Sequence, residues 1–215
     1  MVTAVVVGID VGGEKKGFHA VAFQDRIFGK ASSTDPCAMV KWCLDWNASV
    51  VAVDAPCGWS QSGSSRLAER ELSGRGIHSF ATPTCLNAQA HQKGFYGWVF
   101  NGLRLYTELG RHHYRLFDGG VREGPICFET FPHAVVCALL GRVVPAKPKK
   151  ERRLGVLAGI ECDRDLLSNI DFIDAALCAV TAENFRRGRT EGLGSSGEGI
   201  IVVPKGQLGL TVGVS

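Results

Sequence analysis

No two cysteines in this chain are spaced C-x-x-C, so a zinc ribbon is not expected. No apolar run approaches the roughly 20 residues needed to cross a bilayer. Neither sign of charge dominates: 24 lysines and arginines stand against 21 acids, for a net +3. That balance excludes a polybasic, histone-like protein and leaves room only for a local basic patch. No basic stretch opens the sequence. Met1 runs through Thr3 into a strand-like segment, so no secretory signal is read. The eight cysteines are scattered (37, 43, 57, 85, 127, 137, 162 and 178), as expected of small buried hydrophobes in a reducing cytoplasm. Internal repeats are also missing.

What is present describes a globular α/β chain. Its 215 residues are 45% hydrophobic and 21% charged. At roughly 150 residues per domain this is one domain with an insertion, large enough to build its own core. Residues 4–10 form a Val-rich apolar run ending in Asp10, and a turn at Gly12 and Gly13 follows. Residues 17–23 and 26–31 complete an antiparallel meander. Asp35 and Pro36 open a helix with an apolar stripe of Met39, Val40, Cys43 and Leu44. Residues 49–54 are a second buried strand ending in Asp54, reached by a parallel crossover. Residues 58–124 read as a mostly helical insertion that caps or flanks the acidic sheet edge. Residues 125–129 are a third strand, ending in Glu129. A short helix spans 134–140, a basic loop 142–153, and a longer helix 170–186 with Ile170, Ile173, Leu177 and Val180 on one side. A flexible Gly/Ser loop over 188–199 leads to a last strand at 200–203. The tail from 207 to 215 pairs with that strand or frays.

Three strands therefore finish in a carboxylate: Asp10, Asp54 and Glu129. Carboxyl ends of neighbouring strands meet at one edge, where open α/β sheets bind ligands. The helix from 170 adds Asp171 and Asp174, one turn apart. Such a cluster raises its own pKa values unless cations balance it. Oxygen ligands without thiolate or imidazole favour Mg²⁺ or Mn²⁺, and two such ions cleave phosphodiesters. The bland alternative is a set of ordinary turn-forming and capping acids.

An acid on the first strand of a meander, an acid on the strand after the crossover, and the helix Asp171-x-x-Asp174-Ala resemble the ribonuclease H-like fold. The last element is similar to that of Holliday-junction resolvases. The ordered set GIDVGG, VAVDAP, R-x-x-x-R at 66–70, FATPT, FETFP and DFIDAALCA resembles domain-of-unknown-function family 429, described as predicted nucleases. The resemblance spans residues 8 to about 204. It implies a ribonuclease H-like mixed sheet and a nuclease using Mg²⁺ or Mn²⁺. Asp10, Asp54, Glu129 and Asp174 would be its catalytic ligands, with Asp171 in reserve. A nucleic acid is the implied partner, and the resolvase analogy allows a homodimer.

Other residues carry two readings each. Arg66 and Arg70 share a helix face and suit phosphate oxygens, or form a surface ion pair. Lys15 and Lys16 steer a phosphate or decorate a hairpin. The segment 142–153 nets +5, so Lys149 and Lys150 are candidates for tracking a nucleic-acid backbone, or belong to a solvated loop. His133 stands as an auxiliary group near the site or as a helix-start hydrogen bonder. Two further function classes remain. One is a non-catalytic nucleic-acid or nucleotide binder. The other is a phosphotransferase of the actin-like or sugar-kinase type, suggested by GIDVGGEKKG and opposed by the single copy of that hairpin.

Overall fold

The computed structural model describes residues 4–120 and 123–206. The tail from 207, expected to pair or fray, lies outside them. The chain opens with β1 (Val6–Val11), β2 (Phe18–Gln24) and β3 (Arg26–Ser33), paired as an antiparallel meander. Helix α1 (Pro36–Asp45) begins on Asp35, whose carboxylate accepts the Cys37 N–H at 3.0 Å. It buries Met39, Val40 and Cys43, whereas Leu44 stays exposed, so the stripe is narrower than the sequence suggests. Strand β4 (Val50–Asp54) then lies parallel to β1.

The insertion holds α2 (Leu67–Gly74), α3 (Cys85–Ala90), α4 (Gly97–Arg111) and the two-residue β5 (Arg115–Leu116). After it come β6 (Ile126–Glu129), α5 (Pro132–Leu140), α6 (Lys149–Leu157), α7 (Ile170–Arg186), β7 (Thr190–Ser195) and β8 (Gly199–Pro204). The sheet order is β3-β2-β1-β4-β6-β8-β7, with β5 beside the start of β6. β4, β6 and β8 are parallel additions, and β7 returns antiparallel to β8. This is the mixed sheet expected from the sequence, an antiparallel meander extended by parallel strands through helices.

Four local expectations change. Residues 190–195 are a strand rather than a flexible loop. Their glycines serve close packing: a Cβ on Gly194 would lie 2.7 Å from the Ala68 methyl of α2. Residues 149–157 are a helix rather than a basic loop, because Lys, Glu, Arg and Leu after Pro148 are good helix formers. The insertion does more than cap or flank the sheet edge. Leu105 and Leu109 of α4 are fully buried with Val40, Val51 and Val53, making α4 part of a core layer. Helix α7 has no solvated side over most of its length. Residues Phe172 to Glu183 are all buried, because α5 and α6 cover the face turned away from the sheet.

Strand alternation divides the core. Val7, Ile9, Val51 and Val53 face α1 and α4. Val6, Val50, Ala52 and Phe128 face α7. Gly8 shares that second face, and α7 crosses directly over it. A Cβ there would lie 2.0 Å from the Ala175 carbonyl oxygen and 2.2 Å from the Ala179 nitrogen. Backbone cannot yield as a side-chain tip can, so Gly8→Ala should overpack the layer by roughly 1–3 kcal/mol. That corresponds to a melting-temperature loss of roughly 2–12 °C for a chain this size. Differential scanning calorimetry measures it. An unchanged Tm would show that α7 does not rest on Gly8.

Candidate metal centre

The parallel pairing of β1 and β4 sets Asp10 opposite Asp54. Both follow the face of Gly8 and Ala52, toward α7. The close approach of α7 brings Asp174, only 2% exposed, onto the same point. One carboxylate oxygen from each of Asp10, Asp54 and Asp174 lies within 4.8 Å of the other two. Asp171 sits one turn earlier on α7, where Asn169 caps the helix by accepting the N–H groups of Asp171 and Phe172, both at 3.0 Å. Asp171 forms a second such group with Asp10 and His19, the residue paired with Asp10 on β2.

The chain supplies its own counter-charges. Lys16 donates to Asp171 Oδ1 at 2.7 Å, with its Nζ 3.8 Å from Asp10 Oδ2. Lys149 Nζ lies 3.1 Å from Asp174 Oδ2, and Arg153 contacts the other oxygen of Asp174. Lys149 and Arg153 are four residues apart, so α6 presents both from one side. Burial nevertheless pushes the Asp10 carboxyl up to about 6. Lys16 pulls it back and Asp171 adds to the rise. Asp54 is pushed well above the carboxylate range, first by burial and then by the charge of Asp10. Burial also lowers the pKa of His19, which favours its neutral form.

The donor chemistry fits a hard divalent cation. All three converging groups are carboxylates, and Asp10 Oδ2 is buried without a hydrogen-bond partner. Asp10, Asp54 and Asp174 would hold the ion, with Asp171 beside them.

Glu129 does not join them. In the β4–β6 register it opposes Val53, not Asp54, so it projects to the other face of the sheet. Its Oε1 accepts from Arg66 Nη2 at 2.6 Å. Its Oε2 accepts from Arg66 Nη1 at 2.7 Å and from the Cys57 N–H at 2.9 Å. Arg66 is correspondingly 1% exposed and also donates from Nε to Glu69 at 2.9 Å. This corrects two expectations: Glu129 is committed to a buried ion pair, and Arg66 is not free to hold a phosphate. Arg70 donates to the Ser65 carbonyl, also away from the cluster. Lys150 lines a separate groove with Leu154 and Leu157. His133 is half-buried on α5, and its pKa is lowered by burial and then by the charges of Arg153 and Arg152. It is not one of the converging ligands. Sequence reasoning missed Arg153 and His19. The usable signal for Arg153 was its four-residue spacing from Lys149 immediately after a proline.

Fold and site together define an α/β protein with a carboxylate cluster at the C-terminal edge of its central strands. The chain belongs to the family described as "Protein of unknown function (DUF429)", whose match covers residues 8–197. No curated protein matches it. Among solved structures it is similar to RuvC of Thermus thermophilus, at 16% identity and a TM-score of 0.46, covering 86% of this chain and 96% of that one.

Two stability measurements separate the roles of these acids. Asp10 has a folded-state pKa raised from 3.8 to about 6. Its contribution is therefore favourable below pH 4 and is lost as pH rises through 6. In metal-free protein, Asp10→Asn should raise the unfolding free energy at pH 8 by an amount on the order of 1–3 kcal/mol, seen as a higher Tm. The gain should shrink toward pH 4, and a lower Tm at pH 8 would count against the burial penalty. Glu129→Gln should instead cost roughly 3 kcal/mol, because it strands a buried guanidinium. The Mn²⁺ affinity of the remaining folded protein should be unchanged by calorimetry. A large loss of affinity would return Glu129 to the ligand set.

Proposed function

We propose that this protein is a metal-dependent nuclease that hydrolyses phosphodiester bonds. The reading is carried by the three carboxylates of Asp10, Asp54 and Asp174 converging within 4.8 Å, with Asp10 Oδ2 buried and accepting no hydrogen bond. Mg²⁺ or Mn²⁺ held there would supply an activated water and charge stabilisation for the leaving oxygen. The raised pKa values of Asp10 and Asp54 mean that these groups give up protons as the site loads, so loading strengthens as pH rises through about 6.

The flanking cations suit the rest of the task. Lys149 and Arg153 already lie against Asp174 and are positioned to pair with the non-bridging oxygens of a phosphate at the cluster. Lys16 keeps Asp171 oriented from the hairpin side. A nucleic-acid substrate would add phosphates around α6, which also carries Lys150 and Arg152. A reducing cytoplasm suits the eight free thiols. Among the described residues, no helix is long and apolar enough to cross a membrane.

The decisive assay incubates single-stranded, duplex, hybrid and branched DNA and RNA with the protein in Mg²⁺ or Mn²⁺. Cleavage of at least one class is expected, with at least a hundredfold loss in Asp174→Asn and Asp10→Asn. Mn²⁺ titration should show binding that both substitutions abolish. Lys149→Gln should lower the salt dependence of substrate affinity by about one phosphate contact. Metal binding with no cleavage of any class would reduce the protein to a non-catalytic binder. Activity that survives Asp10→Asn would place the chemistry elsewhere.

A further inference from the structure

A cavity of about 470 Å³ opens beside the acidic cluster, and Asp54 belongs to both. The volume falls in the range of small-molecule sites. Its walls are aromatic. Phe80 and Trp98 stand edge to face with ring centroids 5.7 Å apart, and Phe131 also lines the space. A flat ring entering here can stack on one side chain while meeting the edge of another. Phe80 is 49% exposed. An aromatic held half in water at the lip of a cavity is suited to a ligand.

The deep end of the cavity has a definite polarity. It is formed by the buried side chains of Arg66, Glu69 and Glu129. Arg66 donates from Nε to Glu69 and from both terminal nitrogens to Glu129. Two carboxylates against one guanidinium leave a net charge of −1. Their oxygens already accept from Arg66 and from the Cys57 and Thr82 N–H groups, so the floor acts through its negative field, which repels a phosphate and favours the positive edge of an amino group. His78 and Ser79 at the wall add further polar groups.

We propose that this cavity receives one unpaired, amino-bearing nucleobase, while the attached phosphate remains outside at Asp54 and the cations of α6. The inference rests on the phosphodiester reading of the acidic cluster and narrows its substrate to nucleotides whose base is free of a partner. A paired base is stacked between its neighbours and cannot offer its faces to Phe80 and Trp98. The base comes from a single strand or from a free mononucleotide, and the two sources are separable.

The test is ligand-observed saturation-transfer NMR with Mg²⁺ present. The probes are adenosine 5′-monophosphate, a single-stranded deoxyadenylate tetramer, and the same tetramer sequence within a duplex. Saturation of the adenine protons is expected for the single strand or the mononucleotide, whichever is the source, and not for the duplex. Inosine 5′-monophosphate, which replaces the amino group with a carbonyl, should bind roughly fivefold more weakly than the adenosine compound. Phe80→Ala should weaken binding roughly tenfold and Phe80→Tyr should restore it, since the ring supplies the stacking. Phe80 is half exposed, so the folded state tolerates both changes.

The readout does not depend on cleavage. Base saturation lost in Phe80→Ala, in a protein that cuts nothing, supports the cavity and overturns the nuclease reading. Cleavage that proceeds equally in Phe80→Ala, with no base saturation at millimolar probe, overturns the cavity alone. Equal saturation of duplex and single strand overturns the requirement for an unpaired base.

Discussion

The close approach of α7 to β1 at Gly8 is the constraint on which the rest of the molecule depends. Backbone atoms of Ala175 and Ala179 lie 2.0 and 2.2 Å from where a side chain would begin. Asp174 precedes Ala175 on that helix, and Asp10 follows Gly8 by two residues on the same face of the strand. The absence of a Cβ at one position therefore sets the distance between two carboxylates. Ala52 repeats the logic beneath Asp54 on β4. Small residues under the helix and acids at the edge form one device. Larger residues there would move α7 outward and separate the acids.

That device carries an electrostatic cost. Four carboxylates, Asp10, Asp54, Asp171 and Asp174, face three cations, Lys16, Lys149 and Arg153. The cations come from two separate elements, the β1–β2 hairpin and α6. Neither belongs to the strands and helix that hold the acids. The arrangement leaves the acidic core underpaired: Asp10 Oδ2 is buried and accepts no hydrogen bond, and burial pushes the Asp10 carboxyl upward. Underpaired buried charge destabilises a fold and persists where a ligand supplies the missing charge. The cations are attached through flexible Lys stems and one Arg, so they can exchange a carboxylate for a phosphate without moving the sheet.

Much of this was readable in the sequence, for identifiable reasons. The strands β1 and β4 announce themselves as Val-rich runs, and their terminal acids share a face because they occupy matching registers. Helix α7 is bounded as expected, since Asn169 caps it and the apolar content continues to Phe185. Glu129 was misleading because strand ends alone do not specify parity. It ends its strand as Asp54 does, but β6 is aligned so that Phe128 rather than Glu129 shares the acidic face. Register is a tertiary property, fixed by which side chains the neighbouring strand can bury. Arg66 misled for a related reason. An R-x-x-x-R spacing describes a shared helix face but not what lies across from it, and the opposing group is Glu129, 63 residues downstream. Gly192 and Gly194 mimic a flexible loop because their role, admitting Ile200 and Ala68, requires contacts remote in sequence.

The misplaced acid explains how the edge is divided. Had Glu129 joined the aspartates, five carboxylates would have shared one face and Arg66 would have lost its bidentate partner. By projecting to the opposite face it binds Arg66 instead, and through Arg66 it ties β6 to α2 and to the Glu198 carbonyl of the β7–β8 hairpin. Glu69 completes this link by accepting the Thr82 N–H, which anchors the loop that carries Phe80. The ion pair is therefore a brace for the insertion, buried and fully hydrogen-bonded as such a pair must be. The sheet edge consequently presents two chemistries on its two faces. One is an underpaired cluster suited to cations and phosphate. The other is a satisfied, aromatic-walled recess suited to a neutral ring. Asp54, at the end of the strand between them, is the residue at which they meet.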